Sequence, residues 1–143
     1  MKKRILLLLS IMCICGLIGC EKDSVSEVTV DYGTSSIYSE DDMNEAIELV
    51  KDEFVTWEGC ELQSISYSSD EECNSDNISW LNELAQANNM SDEFTQCMML
   101  VSDFHTSENA PVQWNADTNY EDFQWWLART DNGEWKLISW GYC

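Results

Sequence analysis

Seven cysteines, one histidine and 27 acidic residues are the groups on which chemistry could rest in this chain of 143. His105 would need a nucleophile beside it, and Cys97 shares its face of the same expected strand. Eight residues separate them, roughly 26 Å at ~3.3 Å per residue, against a hydrogen-bond reach of about 3 Å. No Gly-x-Ser-x-Gly elbow supports a serine nucleophile. For proton transfer, Asp103 and Tyr67 are the pair to nominate, because Asp103 closes an apolar strand. The plainer reading is a solvated strand-end carboxylate and a packed tyrosine. Two acidic alternations could suggest calcium: Asp70, Glu72, Asn74, Asp76, and Asn115, Asp117, Asn119, Glu121. An EF-hand loop needs glycine at its sixth position and a bidentate glutamate at its twelfth. Here those positions hold Ser75 and Leu81 in one case, Tyr120 and Trp126 in the other. Both read as solvated loops, so the expectation is no catalytic set, no metal and no cofactor.

The cysteines divide into two groups. Cys60, Cys73, Cys97 and Cys143 form an even set in the body of the chain, which in an exported domain permits up to two disulfides in three connectivities. Cys60 with Cys73 is the favoured pair, since they are close in sequence. With no C-x-x-C spacing, redox-motif and zinc-knuckle readings are weak. The other group lies in the first 20 residues, where Cys20 ends an apolar run.

The elements that must position these residues follow from periodicity. Ser39 with Asp42 forms a helix-capping pattern, and Met43, Ala46, Ile47, Val50, Phe54 and Trp57 recur at helical spacing toward a stop at Gly59. Ile65 and Tyr67 alternate with serines as in a half-buried strand. A second helix is expected over residues 76–88, with Ile78, Leu81, Leu84 and Ala85 inward. Residues 93–104 read as a strand apolar on both sides, and residues 106–121 as a loop in which Trp114 is either a lid or a plug.

Asn132-Gly133 predicts a hairpin that pairs Asp131 with Glu134. That register sets Trp125 opposite Trp140, Leu127 opposite Ile138 and Phe123 opposite Tyr142, with Trp126, Ala128, Trp135 and Leu137 together on the other face. The last four could line a pocket for an apolar ligand, although a filled core is the plainer reading. A sheet apolar on both faces needs helices on one side and a curved wall or loop on the other.

The chain opens with Lys2, Lys3 and Arg4, then an apolar run over residues 5–18. As a helix that run would span about 21 Å, short of the roughly 30 Å hydrocarbon core, and it suits a signal peptide better than a membrane span. Leu17-Ile18-Gly19-Cys20 resembles the bacterial lipobox, where a small residue precedes the cut and the cysteine thiol receives diacylglycerol. The usual pattern has Ala or Ser where Ile18 stands. The resemblance implies that residues 1–19 are removed and that Cys20 becomes a lipidated N-terminus. Two acyl chains give stable anchoring where one would not. Residues 20–38 then read as a polar tether with "VTV" as a short strand at most, and residues 39–143 as one domain.

Loss of residues 1–19 leaves four basic residues against 27 acidic ones, a net charge near −23 in place of −20. Such a surface repels phosphate backbones and anionic lipid, which excludes nucleic-acid binding and unaided membrane adsorption as primary functions. Seven tryptophans and 44% hydrophobic residues exclude a disordered chain.

The ending "WWLARTDNGEWKLISWGY", the middle "MMLVSDF" and "GCELQSISYSS" after an amphipathic helix resemble an uncharacterised family of Gram-positive bacterial lipoproteins. That family is grouped with the cystatin-like, nuclear-transport-factor-2-like fold, and the likeness covers residues 39–142. It implies an α+β roll, a curved antiparallel sheet packed on N-terminal helices, and supplies no catalytic residues. The expectation is a lipid-anchored protein on the extracytoplasmic face of the cell membrane, acting as a non-catalytic binding domain for a protein or small-molecule ligand. The alternatives are a roll-fold enzyme using Asp103, a carrier with its pocket on the tryptophan-rich face, or a passive envelope lipoprotein.

Overall fold

A computed structural model describes residues 23–131 and 133–142. The expected signal segment, Cys20, Asn132 and Cys143 lie outside the described residues. The chain runs β1 (Thr29–Asp31), α1 (Glu40–Phe54), β2 (Cys60–Tyr67), α2 (Ser75–Ala87), β3 (Gln96–Thr106), β4 (Thr118–Arg129) and β5 (Lys136–Gly141). The five strands lie in sequence order in one open sheet. This is an α+β architecture. The sheet is mixed, in contrast to the all-antiparallel expectation, because β1 joins β2 in parallel while the other pairs are antiparallel.

Local chemistry sets the helix bounds. The Ser39 hydroxyl accepts the Asp42 N–H, and the Asp42 carboxylate accepts the Ser39 N–H, closing the expected capping box. α1 ends at Phe54, one turn before Trp57. Asn74 caps α2 by accepting the Asn77 N–H.

The two helices cover opposite faces of the sheet, which corrects the expectation that both lie on one side. Met43, Ile47, Val50 and Phe54 of α1 pack with Leu100 and Trp125 in the first core. Leu81 and Ala85 of α2 pack with Cys97, Met99, Trp126 and Ala128 in the second. Alternation along β3 sends Met98, Leu100 and Phe104 to one core and Cys97 and Met99 to the other. A strand apolar on both sides is thus explained by a helix on each face.

Register irregularities bend the sheet three times. They fall between Leu62 and Ser64, between Ser102 and Phe104 against β4, and between Trp126 and Leu127 against β5. Bulges of this kind raise local twist and re-aim side chains. At the second, Asp122 takes a left-handed φ of 56°, and its N–H bonds to Asp103 Oδ1 at 3.0 Å.

The third irregularity revises the hairpin. Trp125 does face Trp140 and Trp126 does face Ser139, but Leu127 faces Leu137 and Ala128 faces Lys136. The turn closes from the Gly133 N–H to the Thr130 carbonyl at 2.9 Å, one residue earlier than expected. A one-residue slip exchanges faces. Trp135 and Leu137 therefore join the first core, leaving Trp126 and Ala128 in the second. A Cβ on Gly133 would collide with the Thr130 hydroxyl, which would have to move aside.

Residues 23–38, read as a free tether, are instead part of the fold. Val25, Val28, Val30 and Tyr32 pack on the first core, and Tyr38 is buried within it. Their hydroxyl-rich polarity concealed a valine stripe that the parallel β1 edge lays down beside β2.

Candidate functional site

Beyond α1 the chain turns tightly: the Trp57 N–H bonds to the Phe54 carbonyl at 2.9 Å, and Gly59 takes φ +71°. Trp57 is thereby laid across the edge of the first core. Its ring lies 5.1 Å from Phe54 and 5.2 Å from Trp125, tilted by 35° and 30° to them. Opposite, the loop between β3 and β4 folds back rather than extending. The Thr106 hydroxyl, fully buried, donates to the Asn115 carbonyl at 2.6 Å and accepts the Thr118 N–H at 3.0 Å. The Ser107 N–H reaches the Gly59 carbonyl at 2.7 Å, tying this loop to the start of β2. Trp114 arrives 5.4 Å from Trp57, at an interplanar angle of 31°. It is a packed wall.

Trp140 of β5 supplies the third side. It lies 6.0 Å from Trp125 and 6.5 Å from Trp57, and remains 43% exposed. The three indoles enclose an open cleft of about 420 Å³, with Pro111 on one wall and Thr56, Glu58 and Gln113 as its polar groups. A site of aromatic walls and a few hydrogen-bonding groups is built to bind. Its lining contains no cysteine, histidine or serine.

The nominated residues are placed elsewhere. Trp126 and Ala128 are separated from Trp135 and Leu137 by the sheet itself, so these four line no common pocket. Trp135 packs edge-on against Tyr38 at 5.3 Å and carries the Arg129 guanidinium over its ring at 4.4 Å. Trp126 meets Trp80 of α2 at 5.3 Å. Tyr67 faces the first core, whereas Asp103 pairs in register with Ser64 and accepts the Ser64 hydroxyl at 3.1 Å on the opposite face. They do not meet. His105 lies at the other end of β3 from Cys97, facing Asn119 at 2.8 Å and Asp117 at 3.3 Å. Among the described residues no three His, Cys, Asp or Glu side chains converge as a metal site.

Cys60 and Cys73 sit at opposite ends of β2 and are both free thiols. Cys60 opens the strand, and Cys73 lies beside Tyr67, which closes it, 3.3 Å from its hydroxyl. Those strand ends are about 23 Å apart at ~3.3 Å per residue, far beyond the roughly 7 Å limit for Cα atoms in a disulfide. Proximity in sequence misled because an extended strand and a turn lie between them.

Two polar centres escaped the sequence. Asp70 collects the Ser35 hydroxyl at 2.5 Å, the Ser36 N–H and hydroxyl at 2.8 Å each, and the Tyr67 hydroxyl at 2.7 Å. These donors, Ser35 foremost, hold its carboxyl well below the usual range. In the acidic alternation it was one carboxylate among several; only the chain crossing at Ser35 distinguishes it. The second is Arg129, which joins β4 to α1 through Asp42 at 2.8 Å and grips Gln96 at 2.6 Å. Burial opposes ionisation of Asp42, but the Ser39 and Arg129 donors outweigh it and lower its pKa.

Comparison with protein-family models, with curated proteins and with solved structures returned no match.

Proposed function

We propose that this chain is an extracytoplasmic lipoprotein, held to the cell membrane by diacylglycerol on Cys20, whose domain binds a small ligand in the cleft of Trp57, Trp114 and Trp140. The observation that carries the binding role is the exposed Trp140 face at an open, aromatic-walled cleft. The net charge of −20 disfavours an anionic occupant, so the ligand is uncharged or cationic and has an apolar face. The finer fold reading is the cystatin-like, nuclear-transport-factor-2-like roll. Its support is a sheet bent by three register shifts with α1 packed across it; the parallel β1 and the second face covered by α2 are departures from that plan.

Because packing begins by Asp23, the anchor would hold the domain close to the bilayer. Three residues from Cys20 to Asp23 reach at most about 10 Å. Metabolic labelling with a palmitate analogue tests the anchor: label is expected on the wild type and absent from Cys20→Ala, which should leave the membrane fraction. Equal labelling of both would refute it. For the cleft, indole N–H shifts are followed by NMR while short uncharged oligosaccharides and alkylammonium ions are titrated in. Shifts confined to Trp57, Trp114 and Trp140, and lost in Trp140→Ala at unchanged melting temperature, are the expected result. No saturable shift with any probe, or shifts centred elsewhere, would remove the cleft from consideration.

A further inference from the structure

Cys73 and Cys97 come from distant segments and meet where the two cores touch. Cys73 follows the short 3-10 turn Asp70–Glu72 and leads into α2, and Cys97 is the second residue of β3. Cys97 is fully buried, its thiol 3.6 Å from the carbonyl of Glu72, the residue that precedes Cys73. The Cys73 thiol is partly exposed, 3.7 Å from the Ser69 carbonyl and 3.3 Å from the Tyr67 hydroxyl. Cys73 packs against the second core, of which Cys97 is a buried member. The backbone on both sides is pinned: Tyr38 donates to the Cys97 carbonyl at 2.7 Å, and Tyr67 is tied to Asp70.

We propose that Cys73 and Cys97 are joined as a disulfide in the mature protein, formed by exchange with the disulfide of an extracytoplasmic thiol oxidase. The source of oxidant rests on the export reading above; the pairing does not. Cys73 is the attacking sulfur. Beside the Cys97 thiol and the Tyr67 hydroxyl its pKa is lowered, whereas that of Cys97, next to that sulfur and buried, is raised. The Cys73 thiolate attacks one donor sulfur, forming a mixed disulfide and releasing the other donor sulfur as thiolate. Cys97 loses its proton, attacks Cys73 and expels the remaining donor sulfur. Two thiols of this protein become one disulfide, and the donor disulfide becomes two thiols.

The bond would close a loop of about 25 residues containing all of α2, which is the helix that seals the second core. Purified full-length protein is first reduced, then incubated with glutathione disulfide, alkylated and mapped without reduction. The expected product is a Cys73–Cys97 peptide pair lighter by two hydrogens, with Cys60 still alkylated, and a melting temperature about 10 °C above the reduced form. Cys97→Ser should leave Cys73 as a persistent glutathione adduct, and the Cys73→Ala/Cys97→Ala double variant should melt alike with or without reductant. A link from either residue to Cys60 or Cys143 would overturn the pairing, as would a lasting glutathione adduct on wild-type Cys73. Protein alkylated inside intact cells should show the same pair. Free thiols there, in protein that cross-links with glutathione disulfide, would overturn the proposal on the side of export, which the palmitate label reads independently.

Discussion

At the scale of single residues, Asp70 and Asp42 are tied to the fold by what donates to them. Four donor groups around Asp70 join residues 35 and 36 to the end of β2, so Asp70→Ala frees the segment leading into α1. The folded pKa is depressed, so the unfolded chain binds more protons below the usual carboxylate range. The contribution is therefore full above about pH 4 and lost as pH falls toward 2. Asp70→Ala is expected to unfold at lower urea at pH 7 and to lose part of the wild-type acid slope, Asp42 supplying the remainder. Urea midpoints at pH 7 and pH 3 check this; a variant with the wild-type acid slope would show that Asp70 holds nothing. How little of this was legible beforehand follows from chemistry. A carboxylate's neighbours in sequence said solvated loop, and its partners came from 34 and 35 residues away. Tyr67 was noticed as a candidate but matched with the wrong acid, since the alternation in β2 places it on the face away from Asp103.

At the scale of elements, one helix per face makes two cores, divided by the sheet and touching beside it at Cys73, which packs against both. Ile47→Val in the first should cost about 0.5–1.5 kcal/mol and Leu81→Ala in the second about 2–5 kcal/mol. Lying on opposite faces, they should add to within about 0.5 kcal/mol in the double variant. Denaturant titration of the four proteins decides, and strong coupling would mean one continuous core. Helix α1 was legible at its N-cap and along its buried face, because a capping box and a 3.6-residue stripe are local signals, but it ends at Phe54 rather than near Trp57. The hairpin was legible in part. Asn-Gly located the turn, but Thr130 and Gly133 close it one residue early, and a bulge in β5 restores the Trp125–Trp140 pair. That compensation is set by packing against Tyr38 and Arg129, which no local pattern shows.

For the whole molecule, charge is the dominant property. The described basic residues are each paired: Lys51 with Glu48, Arg129 with Asp42 and Lys136 with Asp92, at 2.8–2.9 Å. The remaining acids repel one another, and screening that repulsion should stabilise the domain. The melting temperature is expected to rise by roughly 3–5 °C between low salt and about 0.5 M sodium chloride. A fall would mean that the three ion pairs outweigh the repulsion. Composition, charge, helix periods and strand alternation are properties of the chain read locally, and they determined an α+β domain with an apolar two-sided sheet. The signal segment proposed over residues 1–19 and the anchor proposed on Cys20 also rest on residues read in order along the chain. Only the tertiary structure decided which helix covers which face, that residues 23–38 belong to the fold, that Trp57, Trp114 and Trp140 frame one cleft, and that Cys73 packs against the core that holds Cys97. The physical reason is shared: each depends on groups brought together across the sheet, where a one-residue shift in register exchanges faces and burial selects the register.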